Sequence, residues 1–409
     1  MKKLLLAEWI APMSSPIVRE GGILISAGRV VESGRGPWLR KRHPDALAVE
    51  LGQVVVLPGL VNAHVHLELS HCRADDFPSR DFGRWLMRVV QSRGLDSETL
   101  ERAVAGAVSE GIRQCLRFGV TTAGDISRNC AVSRAVLGDS RLRAVSYGEV
   151  QAMAQRRGML PQRLLDATDA ARARSNLRIG ITPHAPYTVE EAAYRACLES
   201  ARSIRAPIAT HLAETEFEAE FLARHTGPFR ELWEALGWWD DRVPRFEGGP
   251  IRFARQIGLL DHPTLLAHVN YCDDGEMEIL SRGRASVVYC PRTHAYFGHP
   301  PHRWRQMLAG GINVAVGTDS CASSPDLNLV DDLRLLHRMA PEVSALTLWQ
   351  MVTVRAARAI EWESEVGSLA AGRWADLAIF AVTTEDPLRE VLESDAIPAG
   401  VWVGGCPVT

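Results

Sequence analysis

Lysine is almost missing from this chain of 409 residues: among 46 basic residues only Lys2, Lys3 and Lys41 are lysines, and none follows residue 41. Positive charge is not in excess either. The net charge of −3 at pH 7 argues against nucleic acid or an anionic membrane as the main partner, since both are recognised by concentrated cations. The eight cysteines contain no CxxC pair, so neither a zinc knuckle nor a disulfide framework is expected. No run approaches the roughly 18 apolar residues of a membrane helix. The N-terminal MKKLLLAEWIAP is interrupted by Glu8, short of the roughly 7 to 15 apolar residues of a signal peptide; a reduced, cytoplasmic protein is the expectation. No GxGxxG turn follows an early strand, and no repeat or low-complexity linker is found, which leaves a doubly wound dinucleotide-binding sheet without support.

What is present is an ordinary globular composition, 46% hydrophobic and 23% charged. The first 57 residues read as β-rich, with KLLLAEWIA, GGILISAG and VVVLPG separated by Gly and Pro. From Pro58 the texture changes to short apolar runs with polar ends, alternating with helical stretches. The runs are GLVNAHVH, GVTTAGD (119–125), LRAVSYGEV (142–150), LRIGITPHAP (177–186), PIATHLAE (207–214), TLLAHVN (264–270), SVVYCP (286–291) and NVAVGTDS (313–320). Eight such strands predict an α/β fold of the (β/α)8 TIM type, whose active site lies at the C-terminal strand ends. The segment 366–380 and VWVGG return to strand texture. A small β-sandwich domain is therefore expected from residues 1–57 together with 365–409, and the barrel from 58–364. Two long excursions, 67–97 and 215–262, are expected to cover a substrate.

In VNAHVHLE, His64 and His66 share one face of a strand, because side chains two apart point the same way. An isolated HxH is more often structural than metal-binding. Here polar residues of metal-ligating type recur at the other strand ends: His184 on the fourth, His211 and Glu214 on the fifth, His268 on the sixth, Asp319 on the eighth. A capping Asp, a solvated His or an i,i+3 polar pair would explain any one of them, but not their common placement. Imidazoles plus a carboxylate suit one divalent ion such as zinc, with iron or manganese as alternatives.

PGLVNAHVHLE, GVTTAGD, HLAE, LLAHVN, VVYCP, NVAVGTDS and the closing GSLAAGRWADLAIF, in this order, resemble the amidohydrolase superfamily over nearly the whole chain. The resemblance implies a barrel with a small β-sandwich and a mononuclear or binuclear metal centre. Its urease-like and dihydroorotase-like branch bridges two metals with a carbamylated lysine on the fourth strand, where this chain has Pro183-His184. Glu149 is the only other bridging candidate, and a single metal is expected. The mononuclear deaminase branch implies His64, His66, His211 and Asp319 as ligands. It further implies Asp319 as acceptor of the attacking water's proton, Glu214 as donor to the ring nitrogen, and His268 as stabiliser of the developing oxygen charge.

For the substrate, HAPYT around His184 is similar to methylthioadenosine and S-adenosylhomocysteine deaminases, and HLELSHC with DFGRWLMRVV to aminodeoxyfutalosine deaminases. These likenesses imply Glu68, Trp85, Arg88 and His184 as pocket residues. Arg292 and His294 in CPRTHAYFGHP follow the seventh strand and are expected at the same mouth. Trp85 could equally be a packing residue of a helix, and Trp233, Trp238 and Trp239 read as a lid's own core. Glu216, Glu218 and Glu220 read as solvated carboxylates. The expected reaction is deamination of an amino-substituted heteroaromatic ring, an adenine-type nucleoside first. The alternatives are hydrolysis of a cyclic amide or s-triazine substituent on the same fold, and a non-catalytic barrel. A small molecule is the expected partner, without nucleic acid or membrane, and a homodimer is one option for assembly.

Overall fold

Gly and Pro punctuation divides the N-terminal segment into β1 (Lys3–Ile10), β2 (Val18–Ser26), β3 (Arg29–Arg35) and β4 (Leu47–Pro58). In a computed structural model of the chain, residues 2–92 and 97–408 are described; residues 93–96, within the expected excursion 67–97, lie outside the described residues. The apolar run breaks at Pro58-Gly59, and β5 (Leu60–Val65) opens a second sheet. A Cβ at Gly59 would stand 2.1 Å from the Thr121 hydroxyl oxygen, so the passage between sheets requires glycine.

The seven further runs form β6 (Val120–Ser127), β7 (Arg143–Val150), β8 (Leu177–Pro183), β9 (Ile208–Leu212), β10 (Thr264–His268), β11 (Ser286–Tyr289) and β12 (Asn313–Val316). Together with β5 they make an eight-stranded sheet in sequential order, and every pair is parallel. The two ends of that sheet meet just past β12. There Val65 bridges Asp319, the Asp319 N–H donates to the His64 carbonyl at 3.1 Å, and Asn62 holds the Thr318 N–H and hydroxyl at 3.1 and 2.7 Å. A Cβ at Gly317 would lie 2.7 Å from the His64 carbonyl oxygen, and its absence permits the closure. Small and branched side chains fill the interior, among them Ala63, Val145, Ala209, Ala267, Val288 and Ala315. A larger layer of Leu, Val and Ile lies between strands and surrounding helices. Continuous burial on both faces explains why these strands read as unbroken apolar runs.

The C-terminal β13 (Leu377–Ala381), β14 (Gly400–Val403) and β15 (Cys406–Pro407) join the first four strands in one seven-stranded sheet, ordered β15-β14-β13-β4-β1-β2-β3. Leu5, Ile10, Ile23, Val56 and Leu377 pack on one face of it. Leu4, Leu6 and Leu24 pack on the other, against Leu39 of the short helix Gly36–Arg42. This sheet is the small β-unit expected from both termini. Among the described residues no helix is long and apolar enough to cross a membrane.

Candidate metal centre

Six side chains from four strand ends converge at the barrel mouth. His64 lies within β5 and His66 just beyond it, His211 in β9, His268 at the end of β10, Asp319 three residues past β12, and Glu214 in the turn after β9. All six are buried. His66 Nε2 lies 3.2 Å from His211 Nε2 and 3.5 Å from Asp319 Oδ1; His64 Nε2 is 3.8 Å from the same oxygen, and His268 Nε2 is 3.4 Å from Glu214 Oε1. The chain bends sharply to present them: Ala213, His268, Val269 and Asp319 adopt positive φ of 51°, 74°, 51° and 58°. Such conformations are costly outside glycine and cluster at functional sites.

The donor set fits a divalent cation. His211 Nδ1 faces the His184 carbonyl at 2.9 Å. A carbonyl only accepts, so this nitrogen carries the proton, and the Nε2 lone pair of the neutral ring points at His66. Burial, aided by neighbouring imidazoles, pushes the His64 and His268 pKa values well below the ordinary 6.5, and burial also lowers that of His211. Neutral imidazoles are the ligand form. Among the described residues, neither ring nitrogen of buried His64 nor Nε2 of buried His268 has a hydrogen-bond partner. Ligand atoms about 2.1 Å from an ion stand about 3.4 Å apart in a tetrahedron, and separations of 3.2, 3.5 and 3.8 Å bracket that value. Burial raises Asp319 to about 7 and lifts Glu214 well above the carboxylate range, with Asp319 and Glu218 adding to the second shift.

Other expected site residues are divided. His184 and Trp85 line a cavity beside the cluster, together with Phe82, Tyr187, Trp233 and Trp238. Trp85 is fixed by donating Nε1–H to the Ala322 carbonyl at 2.8 Å, and His184 Nδ1 meets the Thr188 hydroxyl at 2.8 Å. Three expected substrate contacts are committed elsewhere. After His66 the chain leaves the strand for the 3-10 turn Leu67–Leu69, and the Glu68 carboxylate accepts hydrogen bonds from the Asn129 N–H, the Asn129 amide and the Ser133 hydroxyl at 2.7, 2.7 and 2.8 Å. Arg292 pairs with buried Asp332 and with Asp326 at 3.0 and 2.7 Å. His294 Nε2 lies 2.9 Å from the Pro300 carbonyl, away from the cavity. Arg88 is exposed.

Several residues of the site carried no recognised signal. Glu218, read as solvated, is 0% exposed and accepts main-chain N–H groups from Ala213, Glu214 and Thr215. Tyr187, inside HAPYT, donates to Glu214 Oε2 at 3.3 Å, stacks on Phe229 at 3.9 Å, and accepts at its carbonyl from Trp233 Nε1 at 2.8 Å. Trp233 and Trp238 thus wall the cavity, whereas Trp239 packs on Phe221 and His225. Glu149, weighed in the sequence as a bridging carboxylate and placed near the end of β7, completes the wall together with Arg128 from the loop after β6 and Gln151 and Arg156 from the loop after β7. The HxxE spacing pointed to Glu214; nothing local distinguishes Glu218 from its acidic neighbours.

The chain is 28% identical over 394 residues to the 5-methylthioadenosine/S-adenosylhomocysteine deaminase of Moorella thermoacetica, covering 93% of this chain and 86% of that protein. It is 29% identical over 346 residues to the aminodeoxyfutalosine deaminase of Deinococcus radiodurans, covering 78% and 77%. The crystal structure of Helicobacter pylori aminofutalosine deaminase in complex with methylthio-coformycin superposes over all of both chains with a TM-score of 0.86 at 21% identity, a likeness of fold. Residues 55–408 match the amidohydrolase family, and the chain belongs to that family.

Proposed function

We propose that this amidohydrolase deaminates the base of an adenine-type nucleoside whose tail carries a carboxylate, as those of aminodeoxyfutalosine and S-adenosylhomocysteine do. One observation carries the reading: three overlapping trios of buried ligand-type side chains, His64–His66–Asp319, His64–His211–His268 and Glu214–His268–Asp319, meet at the edge of an aromatic-walled cavity. His64, His66, His211 and Asp319 would hold the metal, and three imidazoles with one carboxylate favour zinc. When bound, a divalent ion supplies Lewis-acid activation of water at neutral pH.

The chain's own residues account for the proton movements. Glu214, whose burial favours the protonated form, donates to the ring nitrogen beside the carbon that water attacks. Asp319 accepts the proton released by that water and passes it to the departing amine. His268, neutral and 3.4 Å from Glu214, donates a hydrogen bond to the developing oxygen charge. One C–O bond forms and one C–N bond breaks; as ammonia leaves, the proton remaining on the new hydroxyl returns to Glu214, which leaves a ring carbonyl and restores the acid.

Tail recognition rests on the arginines. Arg156 lies with its guanidinium 4.4 Å from the Trp238 ring centroid, and among the described residues no carboxylate makes a salt bridge with it. Arg128 stands 3.6 Å from Glu149. A half-buried cation on an apolar wall favours a ligand anion. Ammonia release from adenosine, methylthioadenosine, S-adenosylhomocysteine and aminodeoxyfutalosine tests the reading. The last two are expected to give the highest kcat/KM, and a protein that releases ammonia from none of the four would refute it.

A further inference from the structure

The turn that carries Glu214 leaves β9 through Ala213 at a φ of 51°, a conformation alanine does not choose. It therefore needs fastening from outside itself. On the carbonyl side the Tyr271 N–H donates to Ala213 at 3.1 Å and the Asn270 amide to Glu214 at 2.9 Å. On the N–H side a single group does the work: the Glu218 carboxylate accepts from Ala213 at 2.9 Å, from Thr215 at 3.2 Å, and from Glu214 between them.

Glu218 is fully buried, and among the described residues no salt bridge reaches it. An unpaired buried carboxylate is costly to desolvate, and convergent main-chain dipoles offset that cost only while the turn keeps its shape. Helix Phe217–Arg224, which carries Glu218, also contributes buried Phe221 and Leu222 to the packing, so an apolar residue would suit its position better if packing were the only requirement. The carboxylate makes sense as a clamp on three successive peptide groups.

We propose that Glu218 is a positioning residue for the reaction, acting through the main chain of Ala213–Thr215 to hold the Glu214 carboxyl against His268 and the substrate ring. This rests on the reading of Glu214 as proton donor. Glu218→Gln keeps the shape, but either orientation of its amide sets an N–H against at least one main-chain N–H. A displacement of about 1 Å in a proton donor costs up to about 100-fold in rate. The expected result is a kcat about 10- to 100-fold lower, with KM within about 2-fold and metal content unchanged by elemental analysis. Added to Glu214→Gln, the same substitution should change residual turnover less than about 2-fold, because its route passes through Glu214. Wild-type kcat in Glu218→Gln, or a full further loss on top of Glu214→Gln, would overturn the proposal. Should Glu218→Gln not fold, Glu218→Asp keeps the charge, shortens the reach and is judged by the same criteria. If wild-type protein releases no ammonia from any of the four nucleosides, the deaminase reading fails and this proposal falls with it. If wild type is active and the variants match it, the clamp alone fails.

Discussion

The Nε2 atoms of His66 and His211 lie 3.2 Å apart in a buried site, and the His184 carbonyl holds the His211 tautomer so that a lone pair points into the gap. Two neutral imidazoles this close either share an N–H···N hydrogen bond or turn both lone pairs toward a common cation, and the proposed metal site takes the second arrangement. Purified protein is expected to hold about one equivalent of metal per chain, to lose turnover with a chelator, and to regain it with zinc. His211→Ala should lose the metal. Stoichiometric metal in that variant, measured by elemental analysis, would exclude His211 as a ligand.

Glu214→Gln preserves size and polarity but has no proton to give. Its metal content should match wild type while kcat falls by about 10²- to 10⁴-fold. Full activity in steady-state ammonia release would remove Glu214 from the proton-transfer role.

Arg156→Ala removes a cation from the cavity wall. For S-adenosylhomocysteine and aminodeoxyfutalosine, kcat/KM should fall about 10- to 100-fold, the size of a charge-assisted hydrogen bond. For methylthioadenosine, which has no carboxylate, it should stay within about 3-fold. Equal losses on all three substrates would mean that Arg156 supports the cavity rather than reading the tail.

Asp125 accepts from the Leu67 N–H at 2.9 Å and from the Ser127 hydroxyl at 2.6 Å, and burial raises its pKa from 3.8 to about 7. The folded state therefore binds this proton more tightly than the unfolded state. Its stabilising contribution is complete below about pH 4 and is lost as pH rises toward 7. Asn can keep both contacts by letting the hydroxyls of Ser127 and Ser146 reorient. Asp125→Asn should thus gain stability relative to wild type across that window, by at most about 4 kcal/mol. Denaturant unfolding at pH 4.5 and at pH 7.5, with a difference that does not grow with pH, would contradict the assignment.

Arg292→Ala should behave as a folding defect. It leaves Asp332, which is 0% exposed, without its guanidinium, a loss of about 3–5 kcal/mol for a broken buried pair. Any soluble fraction should retain wild-type KM. A large KM change at unchanged melting temperature would return Arg292 to the substrate.

The barrel was legible because a strand buried on both faces must be apolar along its length and can be polar only where it ends. All eight expected runs became strands, and the polar residues closing five of them became the buried cluster and its neighbour His184. Less legible were β3 and the helix Gly36–Arg42, whose exposed and charged residues give no strong period.

Side-chain commitments were decided by tertiary structure. Glu68 is two residues past His66, but one 3-10 turn sends it to Asn129 and Ser133. Arg292 follows the seventh strand, but Asp332, 40 residues later in the chain, claims it. Glu218 sits among acidic residues that look alike in sequence, and burial makes it the clamp of a turn. Periodicity and residue type are local properties, so the strands and the ligand-bearing strand ends could be read from the sequence by itself. A polar side chain facing several partners takes the one the fold brings within about 3 Å, and that choice exists only once the barrel has closed.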